Sequence, residues 1–274
     1  MFEEVKLTIA LLGGAVCGIY DLKTSDMLDP VGYAMIALGI GLHAYESFVT
    51  GNWFVLEWCL AVTALFFLFS LCMYHRGCWG GGDGEMLVAY GALLPFGYGS
   101  PSLAFPLLLF LNVFAVGAVY SVIYSLYRIC GEKKLRKKLA EEMEGFAHMF
   151  FLAAIFFALS LALLISRNIF WNLPLILALL ILYKPAIAFS KFVESRVFLK
   201  RISTKFLKPG DVLGEDIATL NLSSRLVRGL SKEEVRKIRR VRKYVVVKDG
   251  VRFIPVFPLA LLVSLTGFPL FNYL

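Results

Sequence analysis

Charge is scarce in this sequence. Only 18% of its 274 residues are Asp, Glu, Lys or Arg, where a soluble globular domain carries about a quarter. That shortage, with 59% apolar residues and a mean hydropathy of +0.74, excludes an ordinary soluble domain and leaves a polytopic membrane protein. Paired cysteine motifs are missing as well. The five cysteines, Cys17, Cys59, Cys72, Cys78 and Cys130, form no disulfide framework, and four lie in or beside apolar runs where a free thiol acts as a small hydrophobe. Cys72, His75 and Cys78 lack the spacing of a zinc pair and a fourth ligand, so no metal is expected, and no cofactor. The start, Met1-Phe-Glu-Glu-Val, has neither the basic residues nor the cleavage site of a secretory signal, so the first apolar run is expected to be retained.

What is present is a series of apolar runs. The expected fold is all-α, with about eight transmembrane helices and a small cytoplasmic α/β segment before the last. The spans are read at about Val5–Tyr20, Val31–Val49, Trp53–Tyr74, Asp83–Phe96, Leu103–Ile129, Phe146–Ile165, Leu173–Ala188 and Phe253–Phe271. The first and fourth read short against the roughly 20 residues a span needs. Pro30 suits the first turn of the second span. His43 and Glu46 fall near that span's far end, at the interface. Asn112 sits inside the fifth, where it could bond a neighbouring helix. Lys184 and Pro185 interrupt the seventh, with Lys184 either snorkelling towards the interface or lining a polar cavity.

Domain organisation follows from composition. Residues 1–130 make a membrane core of five spans. Residues 131–190 are a basic connector, expected to be helical, and an extra hairpin. Residues 191–250 are the soluble-looking segment, and 251–274 the last span. Within 191–250, Pro209-Gly210-Asp211 reads as a turn, Ser231-Lys-Glu-Glu234 as a capping box opening a helix, and Tyr244–Lys248 as a strand. The connector 131–145 carries five Lys or Arg, and 191–250 carries 16 against seven acids. The opposite turns, 50–52, 97–101 and 167–172, hold one basic residue, Arg167. The positive-inside rule therefore puts the basic segments at the cytoplasmic face of the cell membrane with both termini outside. Anionic lipid is an expected partner of the basic residues. Nucleic acid is not, because topology already accounts for the charge bias.

On that cytoplasmic face lie Asp21, at the end of the first span, and Gly80-Gly81-Gly82-Asp83-Gly84, at the start of the fourth. Acids at membrane depth are costly and mark function. Gly80, Gly82 and Gly84 let another backbone or a substrate chain approach closely. Two carboxylates a few ångströms apart cannot both ionise easily. Such a pair can hold a water, one acid taking its proton while the other polarises a peptide carbonyl. The plainer reading is that each aspartate only caps a helix end.

The run Asp21-Leu-Lys-Thr, then Pro30 and a new span, then Gly80-Gly-Gly-Asp83-Gly-Glu-Met-Leu, resembles the type IV prepilin peptidase family, above all its archaeal branch. Gly91-Ala-Leu-Leu-Pro95, Phe105-Pro106 with Asn112, and Phe253-Ile-Pro255 add to the likeness, which spans helices one to five and the last. The resemblance implies a GxGD-type aspartic endopeptidase. Asp21 and Asp83 would be its catalytic pair. Its substrates would be prepilin-like or prearchaellin precursors, cut at the cytoplasmic side to remove the leader peptide. The Cys-x-x-Cys loop of bacterial members is absent, and Glu85 stands where they commonly carry Lys. Family substrates are basic just before the cut, which makes Asp26, Asp29 and Glu85 candidates to attract them; a solvated polar loop is the alternative. Tyr20-Asp21, Gly-Gly-Gly-Asp83 and Pro258-Leu-Ala-Leu261 are also faintly similar to presenilin and signal-peptide peptidases. There the two aspartate helices are adjacent in sequence, so the likeness is one of chemistry.

Two other classes fit the same pair of acids. A proton- or cation-coupled transporter would use them as relay groups, with acids near the midplane and inverted repeats. A non-enzymatic scaffold would bind pilus or archaellum components through 191–250 and tolerate Asp-to-Asn changes silently.

Overall fold

A computed structural model describes residues 2–96, 104–166, 169–223 and 229–266. The turn expected at 97–101, Arg167 and the last residues of the final span lie outside these. The structure is mostly helical, and five of its helices are long and apolar enough to cross a membrane: Phe2–Thr24, Phe54–His75, Ala104–Cys130, Ala147–Ile165 and Asn172–Val197. The described residues form two compact units, one up to Ile123 and again from Gly250, the other over 124–223 and Gly229–Asp249.

The first unit is built from α1 (Phe2–Thr24), α2 (Asp29–Thr50), α3 (Phe54–His75), α4 (Gly81–Leu93), most of α5 (Ala104–Cys130) and α10 (Val256–Leu265). Pro30 enters α2 in its first turn, as its fixed φ suits, and Gly51 ends that helix at φ +70. α4 is the centre. Residues Met86 to Leu93 are buried on every side, the mark of a helix wrapped by protein rather than lipid. α1, α2 and α3 all pack against it. Small residues make this possible: a Cβ on Gly39 would stand 2.7 Å from the Ala92 backbone, so α2 and α4 touch main chain to main chain. At 13 residues α4 is as short as the sequence suggests.

α1 is not short. Its helix runs through Asp21 to Thr24, because the Thr24 hydroxyl bonds back to the Tyr20 carbonyl and Asp21 finds its partner outside the helix. Its buried stripe, Lys6, Ala10, Gly14, Cys17 and Asp21, follows the helical repeat and ends on the carboxylate. Asn112 is buried, and its side-chain amide donates to Ser264 Oγ at 2.9 Å, the interhelical bond its position suggests.

The second unit contains α6 (Lys133–Glu144), a basic helix whose Leu135 and Leu139 pack on Ile129, Phe192 and Val197. The hairpin of α7 (Ala147–Ile165) and α8 (Asn172–Phe192) follows. α8 runs straight through Pro185 and ends in one π-type turn, Val193–Val197, so the proline does not stop the helix. Lys184 is exposed. A three-stranded antiparallel sheet comes next, in the order β1 (Leu199–Ser203), β3 (Tyr244–Lys248), β2 (Val212–Leu213). One face, with Leu213, Val245 and Val247, is covered by Val235 and Ile238 of α9 (Lys232–Val241). The capping box opens α9 as read: Glu234 N–H donates to Ser231 Oγ at 3.2 Å and Ser231 N–H to Glu234 Oε2 at 2.8 Å.

Candidate active site

Asp21 reaches its place through the small residues of α1. Gly14 leaves room for the Tyr90 ring of α4, whose hydroxyl donates to the Ala10 carbonyl at 3.0 Å and ties α1 to α4. One turn before Asp21, Gly18 lets the backbone at Pro255 come within 3.1 Å of where a Cβ would stand. The chain there is thereby aimed at Asp21, and the Ile254 N–H donates to Asp21 Oδ2 at 3.2 Å. Asp21 is 5% exposed. A buried carboxylate needs donors, and among the described residues this one has a single backbone N–H.

Asp83 is carried by the first turn of α4, partly buried, and its Oδ2 accepts the Gly80 N–H at 3.0 Å. Gly80 has no side chain to return the bond, so only half of a capping box forms. The capping reading of Asp83 is correct as far as it goes. The loop that feeds α4 is anchored by Trp79, whose ring stacks on Phe114 at 5.6 Å and meets Phe69 edge-on at 5.7 Å.

The packing of α1 on α4 sets the helix turn that carries Asp21 and the helix turn that carries Asp83 on neighbouring elements. No hydrogen bond joins the two aspartates among the described residues. Oδ1 of each takes no bond from the protein there either, leaving one oxygen of each carboxylate for water or a carbonyl. The glycines divide in role. A Cβ on Gly82 would meet Met27 Cβ at 2.7 Å and one on Gly84 would meet Ser70 Cβ at 3.0 Å, so these two seat α4 on its neighbours. Gly81 has nothing within 4 Å, and Gly80 has only Asp83 Oδ2. The room for an extended chain therefore lies at Gly80 and Gly81, not along the whole run.

The other three acids separate. Asp26 is exposed, bonded through Oδ1 to the Met27 N–H at 3.0 Å, and its charge acts on Asp21. Asp29 opens α2, exposed, and its charge acts on Glu85. Glu85 turns towards α2, where its Oε1 occupies the space above Gly32, fully buried and without a hydrogen-bond partner among the described residues.

Two parts of the site escape the sequence reading. One is the Ile254 N–H. The other is Arg252, which donates to the Leu22 carbonyl and, at 3.0 Å, to Ser25 Oγ, setting its charge near Asp21. Their signal was the Phe253-Ile-Pro255 run, noted for its likeness but not for a role. His43 and Glu46, read at the far end of the second span, have a partner the sequence does not mark. His43 is fully buried, and both hold Lys6.

With this geometry in view, comparison with known proteins finds one family over part of the chain. Residues 8–122, which include both aspartates, match the model of the type IV leader peptidase family, and the resemblance read from the sequence is borne out over that stretch. The chain is similar to the preflagellin peptidase of Methanococcus voltae, 28% identical over 136 residues, 45% of this chain and 56% of that protein. It is also similar to the preflagellin peptidase of Methanocaldococcus jannaschii, 30% identical over 92 residues, 33% of this chain and 38% of that one. The matches thus span less than two thirds of either relative's length.

Proposed function

We propose that this protein is a membrane-embedded aspartic endopeptidase that removes leader peptides from prepilin-like or prearchaellin precursors. What supports it is that Asp21 and Asp83 stand on the packed helices α1 and α4, inside the stretch that matches the leader peptidase family. A precursor's apolar helix would dock beside the core, and its leader junction would lie extended over Gly80 and Gly81. One aspartate, ionised, takes a proton from a water held between the pair. The other, protonated, donates to the scissile carbonyl as the water oxygen bonds to its carbon. As the tetrahedral intermediate collapses, the C–N bond breaks, the leaving nitrogen takes the proton from the first aspartate, and a hydroxyl of the intermediate returns its proton to the second as the C=O bond re-forms. No group beyond the chain's own residues is used.

The same reading includes eight spans, with α2, α4 and the α10 segment added to the five apolar helices, and places the aspartates at the cytoplasmic face. Single cysteines at Gly51 and at Lys134, tested with an impermeant thiol reagent on intact cells and on inverted membranes, should label from opposite sides; labelling from one side refutes the arrangement.

Glu85 is assigned to the basic residues of the substrate. It is the acid of the three with a buried, unpartnered oxygen beside the site. Glu85→Gln should weaken cleavage of a precursor basic before the cut and spare one in which those residues are neutral. Equal loss on both would refute the assignment.

The decisive experiment is cleavage of a prearchaellin-like and a prepilin-like precursor in detergent by wild type, Asp21→Asn and Asp83→Asn. Both folded variants should be inactive. Cleavage by either one refutes the pair.

A further inference from the structure

The sheet of the second unit has two faces, and only one is accounted for. In an antiparallel pair, residues directly opposite share a face. Arg201 pairs with Val246 and Ser203 with Tyr244, so Arg201, Tyr244 and Val246 lie on the side away from α9. That side holds a cavity of about 470 Å³ lined by Arg201, Glu215, Arg242, Lys243, Tyr244 and Val246. Its size is that of small-ligand sites, roughly 300–1,000 Å³.

The cavity is built, and its charge is unbalanced. The Arg201 guanidinium lies over the Tyr244 ring, 5.1 Å from its centre, a stack that leaves the edge N–H groups free to donate. Glu215 is already engaged. Its Oε1 accepts Arg242 Nη1 at 3.2 Å and the Val246 N–H at 3.1 Å, so it neutralises one cation of three. Buried Thr204 fixes the backbone of Arg242 and Lys243: its hydroxyl donates to the Arg242 carbonyl at 2.9 Å, and its N–H to the Lys243 carbonyl at 3.0 Å. A planar guanidinium, an ammonium and an aromatic floor on a rigid frame select an oxyanion, and forked guanidinium donors suit phosphate. The source of that phosphate is set by the chain just before the sheet. Asn172–Val197 is long and apolar enough to cross a membrane, and β1 begins two residues after it ends, so the sheet follows directly on a helix of membrane-crossing length.

We propose that the outer face of this sheet binds the phosphate of an anionic lipid headgroup, held by Arg201, Arg242 and Lys243 over Tyr244. The site lies outside residues 8–122 and does not depend on the proposed peptidase activity.

The test is lipid retention by the full chain in nonionic detergent, followed by native mass spectrometry with phosphatidylglycerol, phosphatidylcholine or inorganic phosphate as probes. Two double variants remove equal charge from exposed positions: Arg201→Gln with Lys243→Gln in the cavity, and Arg236→Gln with Lys237→Gln on α9. Wild type should retain phosphatidylglycerol over phosphatidylcholine. The cavity variant should bind it at least about tenfold more weakly, the loss of one charge-assisted hydrogen bond. The α9 variant should match wild type. Equal loss in both variants would reduce the effect to diffuse surface charge and overturn the site. No preference by wild type would overturn it too. Inorganic phosphate that binds as tightly as the lipid and displaces it would overturn the lipid as source, leaving a soluble phosphate ligand.

Discussion

The two ends of α1 each bury charge, and they handle it in opposite ways. Lys6, 1% exposed, lies about fifteen residues from Asp21, roughly 22 Å along the helix. Its ammonium donates to Glu3 Oε1 at 2.8 Å and Glu46 Oε2 at 3.0 Å, and meets His43 Nε2 at 3.1 Å. His43 Nδ1 lies 2.8 Å from the Gly39 carbonyl, which assigns the proton to Nδ1 and leaves Nε2 to accept from Lys6. Each member has a partner. At the other end, among the described residues, Asp21 and Asp83 take one backbone N–H apiece, and Glu85 has a buried oxygen with none. A satisfied network of charge is a fastening. A cluster of acids left short of donors costs stability, and such a cost persists at sites kept for chemistry.

The comparison breaks or sharpens by substitution, starting with the largest effect. Asp21→Asn and Asp83→Asn should each lower precursor cleavage by about 10²–10⁴-fold, the range of a lost acid–base group, without lowering the melting temperature in detergent. A large loss of stability with them would make these aspartates fastenings as well. Lys6→Met should do the reverse. Leaving Glu46 and His43 without their cation should cost about 3–5 kcal/mol of unfolding free energy, with cleavage per folded molecule unchanged. If Lys6→Met instead abolished cleavage at full stability, the contrast between the ends would fail. Gly14→Ala, midway between them, would put a methyl 2.2 Å from the Tyr90 hydroxyl. It should cost about 1–3 kcal/mol by overpacking and reduce cleavage only through the unfolded fraction. Asn112→Ala should cost least, about 0.6 kcal/mol, the typical value of an interhelical bond in a membrane bundle. Thermal unfolding in one detergent ranks all five.

The parts of this molecule legible in its sequence are those written locally. Apolar runs gave the membrane helices, the Ser231 capping box gave α9, and the chemistry of acids beside apolar spans singled out the two aspartates that α1 and α4 bring together. The rest depends on partners far along the chain. Lys6, behind Glu3 and Glu4, looks like a wet helix end until His43 is seen to bury it. The donor to Asp21 is a backbone N–H, a group every residue but proline carries, so nothing in Ile254 marks it. The extension of α1 past Asp21 follows from that distant bond and from Thr24. β2 has two residues, and β1, Leu199-Lys-Arg-Ile-Ser203, alternates too weakly to stand out before β3 is placed beside it.

The bond from Ile254 to Asp21 spans 233 residues, and it bears on biosynthesis. Asp21 emerges from the ribosome early, and the N–H that orients its carboxyl emerges after both α4 and the whole second unit. α4, about 20 Å long, is too short to stand alone in a bilayer some 30 Å thick and needs α1, α2 and α3 already around it. A chain interrupted before Ile254 therefore carries both acids with one of them unaimed, and the pair is set only once the polypeptide has returned to where it began.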